Sequence, residues 1–208
     1  MFDESMYIPS VRLIATKFIN KAVDMVKLSG QEDFYLNFRK LHSLMFIAQC
    51  YSLVEWDRPL FRGDAIVRPD GINIDGLCGF TSNSFGDEYF KYKVNESRYG
   101  ISTSLNDVQD SIIESVLLMY GRRSAMELSW MTKSTRSWQN NRQYINDFDS
   151  QVVSYSCLIM DGEEFAAEIN TGIDDVDASW LHIPNYTFWD MALEQFRKKK
   201  WRLGLSLH

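Results

Sequence analysis

KLHSLMFIAQCYSLVEWDRPLF, from Lys40 to Phe61, is apolar on nearly every side until it meets Asp57-Arg58-Pro59. Spaced as a helix, Leu41, Leu44, Met45, Ala48, Tyr51 and Ser52 form one face, and Phe46, Ile47, Cys50, Leu53 and Val54 fill much of the rest. A helix with no polar stripe has nothing to turn to water and belongs at the centre of a fold. Burial of each large side chain is worth about 1.5–3 kcal/mol. The segment therefore predicts the helix around which the others pack. Proline disfavours helix in the residue before it, so the helix ends at Asp57-Arg58-Pro59.

Upstream, Ser10 after Pro9 reads as an N-cap. Val11, Ile14, Ala15, Phe18, Ile19, Ala22, Val23 and Val26 follow at helical spacing, and Ser29-Gly30 ends the run. Downstream, Ala65–Val67 and Ile72–Ile74 flank Arg68-Pro69-Asp70-Gly71, a turn signature between two short strands. Residues 76–104 are rich in Gly, Ser and Asn and read as a loop-rich excursion, in which YFKYKV (Tyr89–Val94) alternates like a strand. A third helix starts at Asn106 or Asp107 and stops at Gly121. Ser124 and Glu127, three apart, form a capping box for a short helix carrying Leu128 and Met131. That helix gives way to the polar stretch TKSTRSWQNNR. Beyond Trp138, VVSYSCLI has β character, Glu163-Glu164 after Asp161-Gly162 resembles a helix start, and GIDDVDAS an acidic loop. Thr187-Phe188-Trp189-Asp190 opens a final helix running to about Trp201. The expectation is a mainly α fold with a small β element (α+β). Residues 1–145 form the helical domain, with an excursion at 62–104, and 146–208 an extension packed on it.

The chain has 208 residues, 45% hydrophobic, with a formal net charge of −6. Its length suffices to bury a core without disulfides. An acidic balance argues against general nucleic-acid binding, because phosphates attract Lys and Arg. The three cysteines, Cys50, Cys78 and Cys157, are widely spaced and read as reduced, small apolar side chains. No apolar run reaches the length of a signal or a membrane span, so a cytoplasmic protein is expected.

Chemistry is sparse. His42 reads as a hydrogen-bonded, partly exposed structural side chain, with no partner at i+3 or i+4, and His208 is terminal. No nucleophile elbow, zinc-protease, phosphate-loop or dinucleotide motif occurs. Asp147 and Asp149 are the nearest thing to a cation site and are commonplace in loops. RKKKWR (197–202) offers an anionic-partner patch with Trp201 able to stack, or a compensated helix end. Asp174, Asp175 and Asp177 read as a solvated loop. Aromatics at element ends (Trp56, Phe61, Trp130, Trp138, Trp180, Tyr186, Trp189) suit a core or, with Arg, a protein-binding surface.

The Lys40–Phe61 segment and YGRRSAMELSWMTKSTRSW (Tyr120–Trp138) resemble the two signatures of the Panacea-domain family of antitoxins and phage-associated proteins. The matching positions are Lys40, Leu41, Leu44, Phe46, Ala48, Asp57, Arg58, Pro59, Leu60 and Phe61. Tyr120, Gly121, Leu128, Thr132 and Trp138 follow. The likeness covers about residues 10–145. The chain departs from the pattern at VRPDGINI, where the family has a Gly-Pro-Val-like step, and at Lys133, where it often has His. The resemblance implies a mainly helical domain that binds and neutralises a toxin, in some members as a protease adaptor, without catalysis, cofactor or metal. The residues expected to meet a protein partner are Trp56, Arg58, Phe61, Arg122, Arg123, Arg136 and Trp138; self-association is compatible with them. Two other binding roles are open. One is a phage-encoded inhibitor of a host defence protein such as a CRISPR effector, where acidic charge imitates nucleic acid. The other is a DNA-binding regulator using the third and fourth helices, with Arg122 and Arg123 at the turn. An enzyme of small-molecule or nucleotide metabolism would instead need converging Asp, Glu and His in a pocket.

Overall fold

A computed structural model describes residues 7–77, 89–94, 105–145 and 150–175, with residues 173–175 described by backbone alone. Asp147, Asp149, Cys78, Trp180, His182, Tyr186, His208, the helix from Thr187 and the 197–202 basic run lie outside them, as does Asp177. The fold is mainly α with a small antiparallel sheet, as the sequence led us to expect.

Helix α1 (Val11–Ser29) starts where Ser10 Oγ accepts the Leu13 N–H at 3.3 Å. It ends at Gly30, whose φ of 67° suits glycine, with its N–H on the Val26 carbonyl. Helix α2 (Phe38–Glu55) begins slightly earlier than its apolar run because Asn37 Oδ1 caps the Lys40 N–H at 2.8 Å. Every residue from Lys40 to Leu53 is buried. Burial of polar groups is tolerated only when they are partnered. Lys40 Nζ donates to the Asp33 carbonyl; burial pushes its pKa down to about 8, with the charges of Asp33 and Glu127 acting the other way. Gln49 clasps the returning chain. Its Oε1 accepts from the Leu60 and Phe61 N–H groups at 2.9 and 3.3 Å, and its Nε2 donates to the Phe61 carbonyl at 3.4 Å. Ser52 Oγ donates to the Arg58 carbonyl at 2.8 Å. The reversal at Asp57 uses a left-handed φ of 54°, which Asp tolerates better than most side chains.

Strands β1 (Ala65–Arg68) and β2 (Gly71–Ile74) form the expected hairpin, with Ala65 opposite Ile74 and Arg68 opposite Gly71. A short β3 (Gln151–Val152) pairs with the other edge of β1. Helix α3 (Asp107–Tyr120) opens with a capping box of Asn106 and Gln109, and α4 (Ala125–Ser134) with the box of Ser124 and Glu127. Several expectations are corrected. The polar stretch after Met131 is helical: α4 continues to Ser134, and Thr135 caps a short α5 (Arg136–Asn141). Of VVSYSCLI, only the first Val lies in a strand. Ser154 then accepts from the Cys157 N–H at 3.4 Å, and α6 (Tyr155–Asp175) runs on. Asp161, Gly162, Glu163 and Glu164 are thus mid-helix, and the start of GIDDVDAS is helical. Finally, YFKYKV is not a strand. Its end is held by a helix side chain, the Asn20 amide, which bonds the Val94 N–H at 2.7 Å and the Val94 carbonyl at 3.1 Å.

One cluster of buried apolar side chains draws on α1, α2, the hairpin, α3, α4 and α6. The most extensive packing is α2 on α6, where Phe46 meets Phe165 edge to face at 6.3 Å.

His42 is buried rather than partly exposed, at 4%. Its Nδ1 accepts the Ile74 N–H at 2.8 Å, which places the ring proton of the neutral form on Nε2 and ties α2 to the sheet. Burial lowers its pKa from 6.5 to about 4; nearby Asp70 opposes this and Arg68 adds to it. The native state thus favours the neutral ring. The stabilisation is complete above the unfolded pKa and is lost as pH falls from about 6.5 to about 4, amounting to roughly 3 kcal/mol. His42→Asn keeps an acceptor and cannot titrate, so its urea-unfolding free energy is expected to fall less steeply over that window. Parallel pH profiles for the two proteins would refute this.

Candidate functional site

Helix α4 lies across the tip of the hairpin. A Cβ on Gly71 would sit 3.6 Å from Ser129 Oγ and 3.8 Å from Lys133 Cε. Leu128 and Thr132 point into the core and fix the rotation of the helix. That rotation sends Met126 and Trp130, one turn apart, outward at 67% and 70% exposure. Between them, Arg39 at the start of α2 and Asp70 of the hairpin, the surface sinks into a cavity of about 320 Å³, lined also by Ser129 and Lys133.

Helix α5 extends this face. Trp138 is half-buried, its Nε1 donating to the Arg68 carbonyl at 3.4 Å. Lys133 Nζ and Arg142 Cζ stand 5.7 and 5.6 Å from its ring centroid, within cation–π range. Arg39, Arg68, Lys133 and Arg142 form no ion pair among the described residues. In a chain acidic overall, Lys133 and Arg142 thus stand over Trp138, and Arg39 and Lys133 line the cavity beside Trp130, with Asp70 in the same wall.

The residues expected to meet a partner do not converge. Phe61 is 1% exposed, its backbone held by Gln49, and it is a core residue. Trp56 and Arg58 stack on each other at 5.6 Å at the far end of α2. Arg122 reaches Asp33 at 3.7 Å. Arg123 pairs with Glu168 at 3.1 Å and lies 5.5 Å from the Tyr120 centroid, joining the α3–α4 turn to α6. Arg136 approaches Glu164 at 3.5 Å. Trp138 is the member of the set that belongs to the face under α4. Arg39, Asp70, Met126, Ser129, Lys133 and Arg142 complete it and were not singled out as binding residues. The one available signal was Met126 and Trp130 at i and i+4, on the side of α4 away from Leu128.

No family model, no curated protein and no solved structure matches the chain.

The face presents two exposed apolar side chains beside a cavity lined by Arg39, Asp70, Ser129 and Lys133. His42 lies buried in the sheet contact. Burial pushes the Cys50 thiol pKa well up, leaving it a poor nucleophile. No three His, Cys, Asp or Glu side chains gather as a metal site among the described residues. No described helix is long and apolar enough to cross a membrane.

Proposed function

We propose that this chain is a non-catalytic protein-binding module that neutralises a partner protein, as an antitoxin does, and that the α4 face receives the partner. The observation that carries the reading is the pair Met126 and Trp130. Two large apolar side chains exposed together beside a cavity make an apolar patch suited to being covered by a partner. Trp flanked by cations is the composition of a binding hot spot. The resemblance of Lys40–Phe61 and Tyr120–Trp138 to Panacea-domain signatures supports the same role. A DNA-reading role for α4 is less well supported, since its outward side offers Met126, Glu127 and Trp130 where base edges would ask for polar groups.

The test is co-expression with the product of the adjacent gene. That product alone should arrest growth, and this chain should relieve the arrest and co-purify with it. Met126→Ala with Trp130→Ala should weaken the complex by about 30-fold or more, the loss of a hot spot near 2 kcal/mol, while circular dichroism stays unchanged. Undiminished binding by the folded double variant would remove α4 from the interface. Turnover of a metabolite by the purified chain would end the proposal.

A further inference from the structure

We infer that the α4 cavity takes an acidic linear peptide of the partner, one Asp or Glu carboxylate beside a large apolar side chain. This deepens the protein-binding reading and rests on it. The argument is charge complementarity. Arg39 and Lys133 line the cavity, Arg142 stands over the Trp138 ring that Lys133 also approaches, and none of the three has a carboxylate at ion-pair distance among the described residues. A carboxylate between Arg39 and Lys133 would meet two cations, and Ser129 adds a hydroxyl donor. The adjacent apolar side chain would lie on Met126 and Trp130, whose exposed surface it would cover.

The cavity is small, about 320 Å³, and holds one or two side chains rather than a domain. Asp70 in the same wall repels any anion, a doubly charged phosphate about twice as strongly as a single carboxylate. A polynucleotide would also need a longer track of cations than this cluster provides. Asp70 would accept from a backbone N–H or a basic neighbour of the bound carboxylate.

The experiment is fluorescence anisotropy with three labelled probes. One is a short peptide alternating Glu and Leu, one the same peptide with Lys for Glu, and one a single-stranded oligonucleotide. The acidic peptide is expected to bind with a dissociation constant on the order of tens of micromolar, weakening as salt is added. Arg39→Glu with Lys133→Glu should reduce its affinity at least about tenfold and raise that of the Lys peptide, a reversal that misfolding would not produce. Equal binding of the two peptides, tighter binding of the oligonucleotide, or an unchanged affinity in the charge-reversed protein overturns the inference. A charge-reversed chain that still neutralises its partner in cells does so too, and leaves the protein-binding role itself standing.

Discussion

Gly162→Ala is expected to lower stability by about 2 kcal/mol, and Gly162→Val by more than about 3 kcal/mol, leaving the valine variant largely insoluble. Two effects compete. Alanine in a helix interior is favoured over glycine by roughly 1 kcal/mol. Against it stands the crossing of α6 on α2. A Cβ at Gly162 would lie 2.3 Å from the Cys50 carbonyl oxygen and 2.8 Å from Val54 Cγ2. The oxygen belongs to the backbone of the most buried helix and cannot rotate aside. The helices must separate, and the loss extends along the contact that holds Phe46 against Phe165. Steric cost therefore exceeds helix propensity, and the melting temperature of the alanine variant should drop by about 4–8 °C. Gly172 is the control. A Cβ there would meet Met119 Cε at 2.4 Å and Sδ at 2.9 Å, the end of a flexible side chain. Gly172→Ala should stay within about 1 kcal/mol of wild type, propensity and displacement nearly cancelling. If both glycines tolerate alanine equally in thermal unfolding, the close approach of α2 and α6 is wrong.

The same glycine shows why part of the fold was legible and part was not. The role of α2 followed from its residues alone, because a helix apolar on all sides has one disposition in water. The caps at Ser10, Asn106 and Ser124 and the turn at Pro69-Asp70-Gly71 were readable for a related reason: each is settled within a few residues by a local hydrogen bond or a required backbone conformation. Asp161-Gly162 obeys no such local rule. An Asp-Gly pair before two glutamates looks like a turn and a helix start, yet it lies in the middle of α6. Glycine is used there because α2 passes close, and aspartate because a distant helix needs its carboxylate. Both reasons are tertiary. YFKYKV fails likewise: its alternation suits a strand, but the group that bonds its end is the Asn20 side chain. The α4 face has the same status. Met126 and Trp130 could be seen to share a side of the helix. Which way that side turns depends on Leu128 and Thr132 finding the core, and its cations Arg39, Lys133 and Arg142 come from three different helices. The final contributor, Arg142, stands just past the end of α5, where the 3-10 turn at Arg142–Tyr144 begins.

Asp161→Leu is expected to cost about 3–4 kcal/mol and to detach α5. The carboxylate is fully buried, at 0% exposure, and accepts the Arg136 N–H at 2.9 Å and the Ser137 N–H at 3.0 Å. The first N–H groups of a helix have no partner within it, and here a side chain of another helix supplies two, while Thr135 Oγ1 reaches the Trp138 N–H at 3.4 Å. So short a helix does not hold together on its own in water. Leucine has the same branched skeleton, with methyl groups in place of the oxygens, and leaves both donors without acceptors in a buried place, each worth about 1–3 kcal/mol. Asp161→Asn retains one acceptor oxygen and turns its amide donors toward the other N–H, so roughly half the loss is expected. The effect should be local before it is global. Amide exchange at Arg136, Ser137 and Trp138 should accelerate more than exchange in α2. Since α5 carries Trp138 and leads into Arg142, affinity for the partner proposed at the α4 face should fall with it, although Asp161 is buried away from that surface. Wild-type exchange rates at those three amides in Asp161→Asn would show that α5 is held by something else.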